Sequence, residues 1–172
     1  MKIFLLGLPG SGKTTLGKEL AKALALPFID LDKEIEKTEG MTVKEIFEKK
    51  KEDYFRALES VTLKKWCGAD HDFVMATGGG APIFLNNLEL INAAGKSIFL
   101  DVPAQQIAQR IVATDITDRP LFAKTHPESL KDRIEFMRSH RLPFYRQAHL
   151  TISGNTIPVK NILEMLRKET QR

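Results

Sequence analysis

The run Gly7-Leu8-Pro9-Gly10-Ser11-Gly12-Lys13-Thr14 fits the pattern G-x-x-x-x-G-K-[ST] of a phosphate-binding loop. It constrains the fold more than any other stretch, because such a loop works only between a buried strand and the start of a helix. Both flanks comply. Met1-Lys2-Ile3-Phe4-Leu5-Leu6 is a short, largely apolar run, readable as a buried parallel strand. Leu16, Leu20, Ala23 and Leu24 recur at helical spacing. Gly7, Gly10 and Gly12 let the backbone bend so that successive N–H groups converge on an anion. The helix that follows adds unpaired N–H groups and the positive end of its dipole. Lys13 can reach the β- and γ-phosphates, and the Thr14 hydroxyl can ligate Mg²⁺.

A chain of 172 residues is large enough for one domain with a sizeable core. The formal charge of +4 is mildly basic. No basic patch interleaved with aromatics accompanies it, so anionic small ligands are favoured over nucleic acid. Lys49-Lys50-Lys51 reads as a solvated helix face. Cys67 is the only cysteine, which excludes an intrachain disulfide, and it reads as a packed thiol. His71, His126, His140 and His149 show no zinc-ligand spacing. No apolar run approaches the ~18 residues of a membrane span. The N-terminus enters a strand directly, and the glycine loop interrupts any signal-peptide core. A reducing cytoplasm and no membrane partner are therefore expected.

Taken in order, the first helix ends near Leu24, and Pro27-Phe28-Ile29-Asp30 forms a second short strand ending in Asp30-Leu31-Asp32. Ligands of parallel α/β sheets sit outside the carboxyl ends of the strands. Strand periodicity would put Asp30 and Asp32 on the same side, one near Mg²⁺ and one near an acceptor hydroxyl. A helix N-cap with solvated acids fits the same spacing. Thr42-Val43-Lys44-Glu45 is a capping box opening a helix that carries apolar residues through Trp66. This helical insert, about residues 33–67, is too long for a plain connection and reads as a substrate-binding subdomain. Within it, Arg56 and Glu59 lie about one turn apart, either as a surface ion pair or as an anion-binding arginine held by its own carboxylate.

A third strand, Phe73-Val74-Met75-Ala76-Thr77, runs into Gly78-Gly79-Gly80, where backbone could approach a ligand closely. A helix over about residues 85–93, a fourth strand Lys96-Ser97-Ile98-Phe99-Leu100-Asp101 and a helix carrying Arg110 come next. Residues 114–125 lack periodicity, and Arg119 stands before Pro120, so this stretch reads as a lid with Arg119 at its tip or as a plain loop. A helix from Glu128 should end near Arg141, before His149-Leu150-Thr151-Ile152 as a fifth strand and a last helix from about Pro158 to Lys168. Alternating strands and helices predict an α/β sandwich with a five-stranded parallel sheet. Pattern alone leaves the strand order open.

Together these residues resemble shikimate kinase, within the P-loop group of nucleoside-monophosphate-kinase-like enzymes. Asp30-Leu31-Asp32 is similar to the family's D-x-D, and Phe55-Arg56 with Glu59 to its F-R-x-x-E. Gly78-Gly79-Gly80-Ala81 resembles G-G-G-A, Arg119-Pro120-Leu121 the lid R-P-L, and Arg141 through Tyr145 the late R-x-x-x-Y. The resemblance implies a three-layer sandwich with strand order 2-3-1-4-5 and a single kinase domain over residues 1–172. It implies transfer of the ATP γ-phosphoryl group to the 3-hydroxyl of shikimate by a monomer using Mg²⁺. By similarity, Gly10, Ser11, Gly12, Lys13, Thr14 and Thr15 hold the nucleotide phosphates, and Thr14 with Asp30 serves the metal. Arg56 and Arg141 clamp the shikimate carboxylate beside Gly78, Gly79 and Gly80. Asp32 holds ring hydroxyls and accepts the proton, while Lys13 and Arg119 face the transferring phosphate. Arg110 and Pro158 are matched to the two sides of the adenine. The chemistry is apt: a carboxylate favours bidentate arginines, and a hydroxyl acceptor needs a positioned carboxylate. Another small kinase, acting on gluconate or a nucleoside monophosphate, is a rival, but a nucleotide acceptor would not need Asp32 with two arginines around a glycine strip. A GTPase-like switch lacks a guanine-specificity motif here and gives Asp32 and Arg141 no role.

Overall fold

The computed structural model describes residues 1–113 and 126–170. Strands β1 (Lys2–Leu6), β2 (Phe28–Asp30), β3 (Phe73–Ala76), β4 (Lys96–Asp101) and β5 (Leu150–Ser153) form one sheet in the order β2-β3-β1-β4-β5. Every pairing is parallel. The order implied by the resemblance is the one observed. Because β2, β3 and β1 are neighbours, the loops leaving their carboxyl ends lie side by side. The glycine loop, the acids after β2 and the Gly78–Gly80 strip therefore meet at one edge of the sheet.

Alternation along the strands divides the core. Ile3 and Leu5 of β1, Val74 of β3, and Ile98 and Leu100 of β4 face one side. There they pack with Leu16 and Leu20 of α1 (Lys13–Leu24) and Ile162 and Leu166 of α7 (Val159–Thr170). Phe4, Leu6, Phe73, Met75 and Phe99 face the other side. That face is covered by α2 (Leu31–Glu39), α3 (Val43–Cys67), α4 (Asn87–Ala94), α5 (Ala104–Val112) and α6 (Pro127–Tyr145). Burial on both faces explains why β1, β3 and β4 are largely continuous apolar runs, whereas the edge strand β5 alternates buried Leu150 and Ile152 with exposed Thr151 and Ser153. A three-layer sandwich results. Among the described residues, no helix is long and apolar enough to cross a membrane.

Local chemistry sets the helix limits. α3 opens on a complete capping box: the Glu45 N–H donates to Thr42 Oγ1 at 3.2 Å and the Thr42 N–H donates to Glu45 Oε2 at 2.8 Å. Two expectations need correction. Asp32 is not on a strand; β2 stops at Asp30, and Asp32 lies in the first turn of α2. Asp30 caps that helix, its Oδ1 accepting the Lys33 N–H at 3.4 Å, so the strand-period reason for pairing the two acids fails. Helix α6 continues past Arg141 to Tyr145 with Pro143 inside it. The last turn survives the proline because Tyr145 is fully buried and stacked on Phe99, ring centroids 5.0 Å apart.

Helix α3 is interrupted at Lys51, whose φ of 72° and ψ of 169° belong to a region essentially reserved for glycine. Helical geometry resumes beyond it with a new direction for Phe55, Arg56 and Glu59. A non-glycine residue there stores roughly 1–3 kcal/mol of strain, against roughly 0.5–1 kcal/mol of extra chain entropy that glycine would lose. Lys51→Gly should therefore stabilise the protein by about 1 kcal/mol. Urea unfolding checks this, and a lowered midpoint would show that the backbone at Lys51 is relaxed.

Candidate active site

A cleft of about 560 Å³ opens at the carboxyl ends of β1, β2 and β3. Its walls include Gly10, Gly12, Lys13, Thr14 and Thr15 from the glycine loop and α1, Asp30 and Asp32 after β2, Arg56 and Glu59 from α3, and Gly78–Gly80 after β3. Arg110 of α5 completes it.

At the glycine loop, Gly10 and Gly12 adopt φ of 84° and 96°, which side-chain-bearing residues rarely reach. Gly12 is the N-cap of α1 and brings no side-chain cap, so the first N–H groups of the helix remain for an anion. The Lys13 ammonium donates to the carbonyls of Gly7 at 2.9 Å and Leu8 at 3.0 Å, which curls it over the loop. Ser11 is buried below the loop surface, and its Oγ has no hydrogen-bond partner among the described residues. Arg110 donates from Nη1 to the Ser11 carbonyl at 3.0 Å and from Nη2 to the carbonyl of Asn155. It thereby ties the glycine loop to the segment between β5 and α7. Pro158 lies exposed on that segment, outside the cleft wall.

The acids after β2 divide in two. The Thr14 hydroxyl donates to Asp30 Oδ2 at 3.0 Å, so a hydroxyl and a carboxylate oxygen stand together at the helix start. Hard oxygen donors of this kind suit Mg²⁺, which takes one or two protein oxygens and completes its shell with water and substrate phosphates. No cluster of three or more histidine, cysteine or acidic side chains that could enclose a metal occurs among the described residues. The donor set thus fits a nucleotide-borne Mg²⁺ and not a protein cage. Asp32 points elsewhere. Its Oδ1 is buried with no partner among the described residues, and burial, followed by the charge of Asp30, pushes its pKa up to about 6, with Lys13 opposing.

Opposite the loop, the Arg56 ion pair is buried. Arg56 is 6% exposed and Glu59 fully enclosed, so the pair is not a surface ion pair. Arg56 Nη1 donates to Glu59 Oε2 at 2.9 Å, and Nε and Nη2 donate to Glu52 Oε1 at 3.2 and 3.0 Å. With those edges taken, the end of the guanidinium faces Gly80, where a Cβ would lie 2.5 and 2.6 Å from Nη1 and Nη2. The Phe84 ring stacks on the guanidinium at 4.4 Å. Glu59 keeps Oε1 without a partner among the described residues, and burial, against the pull of Arg56, pushes its pKa up to about 7. A Cβ at Gly78 would sit 2.7 Å from Glu59 Oε1 and 3.0 Å from Asp32 Oδ1. A Cβ at Gly79 would sit 3.1 Å from Arg141 Nη1, another buried atom with no partner among the described residues. The glycine strip is thus the floor on which Asp32, Arg56, Glu59 and Arg141 converge.

The structure brings the sequence-selected residues Lys13, Thr14, Asp30, Asp32, Arg56, Gly78, Gly79, Gly80 and Arg110 into one cleft, with Arg141 at its edge. Arg119 and the lid expected at residues 114–125 lie outside the described residues. Sequence reasoning missed Glu52 and Phe84 as supports of Arg56. Glu52 had a signal, standing four residues before Arg56 on the same helix. Phe84 had none.

Comparison with known proteins agrees with this geometry. The shikimate kinase family model matches residues 9–170. A shikimate kinase from Bacteroides fragilis is 40% identical over 164 residues, covering 95% of this chain and 90% of the relative. One from Clostridium botulinum is 36% identical over 165 residues, covering 96% and 94%. Among solved structures, the shikimate kinase of Acinetobacter baumannii in complex with shikimate superposes with a TM-score of 0.91 at 34% identity, over 99% of this chain and 95% of that one. The enzyme from Bacteroides thetaiotaomicron gives 0.89 at 35% identity, over 100% and 99%. With a family match spanning nearly its whole length and the site residues gathered as described, this chain belongs to the shikimate kinase family.

Proposed function

We propose that the cleft carries out phosphoryl transfer with its two ends divided between donor and acceptor. The chain is an ATP-dependent shikimate kinase: it phosphorylates shikimate on the path to aromatic amino acids, using ATP with Mg²⁺. The observation that carries the division of labour is the convergence of Asp32, Arg56 and Arg141 on the side-chain-free strip Gly78–Gly80, facing the glycine loop.

In this reading the loop amides of Gly10, Ser11 and Gly12, with Lys13, Thr14 and Thr15, hold the ATP phosphates, and Arg110 with Pro158 borders the adenine. The end-on N–H pair of Arg56 and the Nη1 group of Arg141 grip the shikimate carboxylate as charge-assisted donors. Backbone of Gly78, Gly79 and Gly80 lies beneath the ring. Asp32 accepts a hydrogen bond from the 3-hydroxyl and takes its proton as that oxygen attacks the γ-phosphorus and the bond to the β-phosphate oxygen breaks, releasing ADP. Thr14 and Asp30 would hold Mg²⁺, which neutralises phosphate charge. Lys13 supplies further positive charge from the loop, and Arg119 supplies it from the lid at residues 114–125. Helices α2 and α3 form the acceptor-binding insert of a single kinase domain over residues 1–172. A working monomer completes this reading. A reducing cytoplasm and small anionic partners, with neither nucleic acid nor membrane, belong to the same reading, the mild net positive charge suiting small anions.

A turnover screen with ATP and a panel of hydroxy acids tests the assignment; shikimate should be phosphorylated and gluconate or nucleoside monophosphates should not. Arg56→Ala and Arg141→Ala should each raise KM for shikimate by about ten- to a hundredfold, the loss of one charge-assisted clamp worth roughly 1.5–3 kcal/mol, and leave KM for ATP nearly unchanged. If ATP alone binds more weakly, the carboxylate assignment is wrong. Asp32→Asn keeps the shape and removes the basicity, so kcat should fall at least about a hundredfold. Asp30→Asn should instead raise the Mg²⁺ requirement. Single-turnover rates across a Mg²⁺ titration separate the two, and a metal defect confined to Asp32→Asn would reverse the roles of the acids.

A further inference from the structure

One buried polar group near the cleft has no part in the scheme above. Tyr145 is 0% exposed, stacked on Phe99 at 28° between the ring planes, and burial pushes its pKa up to about 12. A phenylalanine would fill that packing site equally well. The hydroxyl is therefore an addition that must be satisfied, since burying it without a partner is costly. It donates to the Gly79 carbonyl at 2.5 Å. The Arg141 guanidinium, one turn earlier on α6, lies close enough to the phenol for its charge to oppose that rise in pKa.

We propose that the Tyr145 hydroxyl is a positioning group for shikimate: it accepts from Arg141 and donates to Gly79, and so fixes the arginine of the carboxylate clamp relative to the glycine strip.

The direction of the two bonds is dictated by chemistry. A guanidinium can only donate and a carbonyl can only accept, so a group lying between them must do both, and a phenol does. Gly79 is also limited on its other side, where a Cβ would lie 2.7 Å from Pro9 Cδ of the glycine loop. Its backbone is thus set between the nucleotide loop and the α6 pair. Arg141 Nη1 has no partner among the described residues and lies 3.1 Å from where a Gly79 Cβ would be, so arginine and phenol meet the strip at the same residue. Charge-assisted pairs need their donors in a fixed fork, and rigid packing around an arginine supplies that orientation in advance. The tyrosine therefore acts through Arg141 and Gly79 and touches no substrate. Its role rests on the reading of Arg141 as a carboxylate clamp.

The test is a double-mutant cycle read by titration calorimetry with shikimate and with ATP separately. Tyr145→Phe should weaken shikimate about five- to twentyfold, the worth of a mispositioned hydrogen-bond donor, with ATP affinity unchanged. In an Arg141→Ala background the same change should have almost no further effect. Phe99→Leu disturbs the ring stack and spares the hydroxyl, so it should lower the unfolding midpoint and keep shikimate affinity. Unaltered shikimate affinity in Tyr145→Phe overturns the proposal, as does an effect fully additive with Arg141→Ala, or an equal loss in Phe99→Leu. If Arg141→Ala itself leaves shikimate affinity intact, the clamp reading fails, and the proposal falls with it for a separately visible reason. Should Tyr145→Phe fail to fold, the wild-type chain labelled with 3-fluorotyrosine answers the question. Its two tyrosines give separable fluorine signals, assigned with Tyr54→Phe. The Tyr145 signal should move on saturation with shikimate alone, and a stationary signal would overturn the proposal.

Discussion

Four charged side chains from three helices approach the chain between Gly78 and Gly80 so closely that a Cβ added at any of the three glycines would lie within 3.1 Å of at least one of them. The rest of the acceptor site depends on that absence of side chains. Arg56 can turn the end of its guanidinium inward only because Gly80 leaves room, and Glu59 and Asp32 can stand near each other only over Gly78. The sheet order makes the encounter possible. β3 lies between β2 and β1, so the strip is flanked by the acids on one side and the glycine loop on the other.

Gathering charges under cover has an electrostatic consequence. Glu59 and Asp32 are both destabilised as carboxylates by burial, and the guanidinium of Arg56 is shared between Glu52 and Glu59. Breaking such a buried pair by removing one partner typically costs about 3–5 kcal/mol, because the other charge is left uncompensated. The arrangement gives specificity in return. In the proposed reading, an incoming carboxylate meets Arg56 N–H groups whose other edges are already engaged by Glu52 and Glu59, so it can be accepted in few orientations. A basic chain with its positive charge held this way suits two anionic substrates without an open cationic patch.

Much of this was legible in the sequence, and the exceptions have physical reasons. The glycine loop was secure because three glycines, a lysine and a hydroxyl stand in one short window whose flanks also had to agree. The central strands β1, β3 and β4 were readable because they are buried on both faces and hence largely apolar throughout. Asp32 was placed beside the cleft for a mistaken reason: the chain enters α2 directly after Asp30, and the helix start, not strand alternation, sets the positions of the two acids. The burial of Arg56 and Glu59 could not be read from a one-turn spacing, since surface pairs share it. It depends on Gly80 and Phe84, which lie far along the chain. The end of α6 was misplaced because proline normally stops a helix, and only the tertiary stacking of Tyr145 on Phe99 carries it further.

The dependence of the acceptor site on the bare glycine strip is tested most directly at Gly80, where a Cβ would meet three atoms of the Arg56 guanidinium within 2.7 Å. Titration calorimetry of Gly80→Ala should show shikimate affinity reduced about tenfold or more, as expected when an arginine of the clamp is displaced, with ATP affinity retained. Wild-type affinity for shikimate in a folded Gly80→Ala protein would contradict the account, because the arginine would then be free to move without consequence for the acceptor.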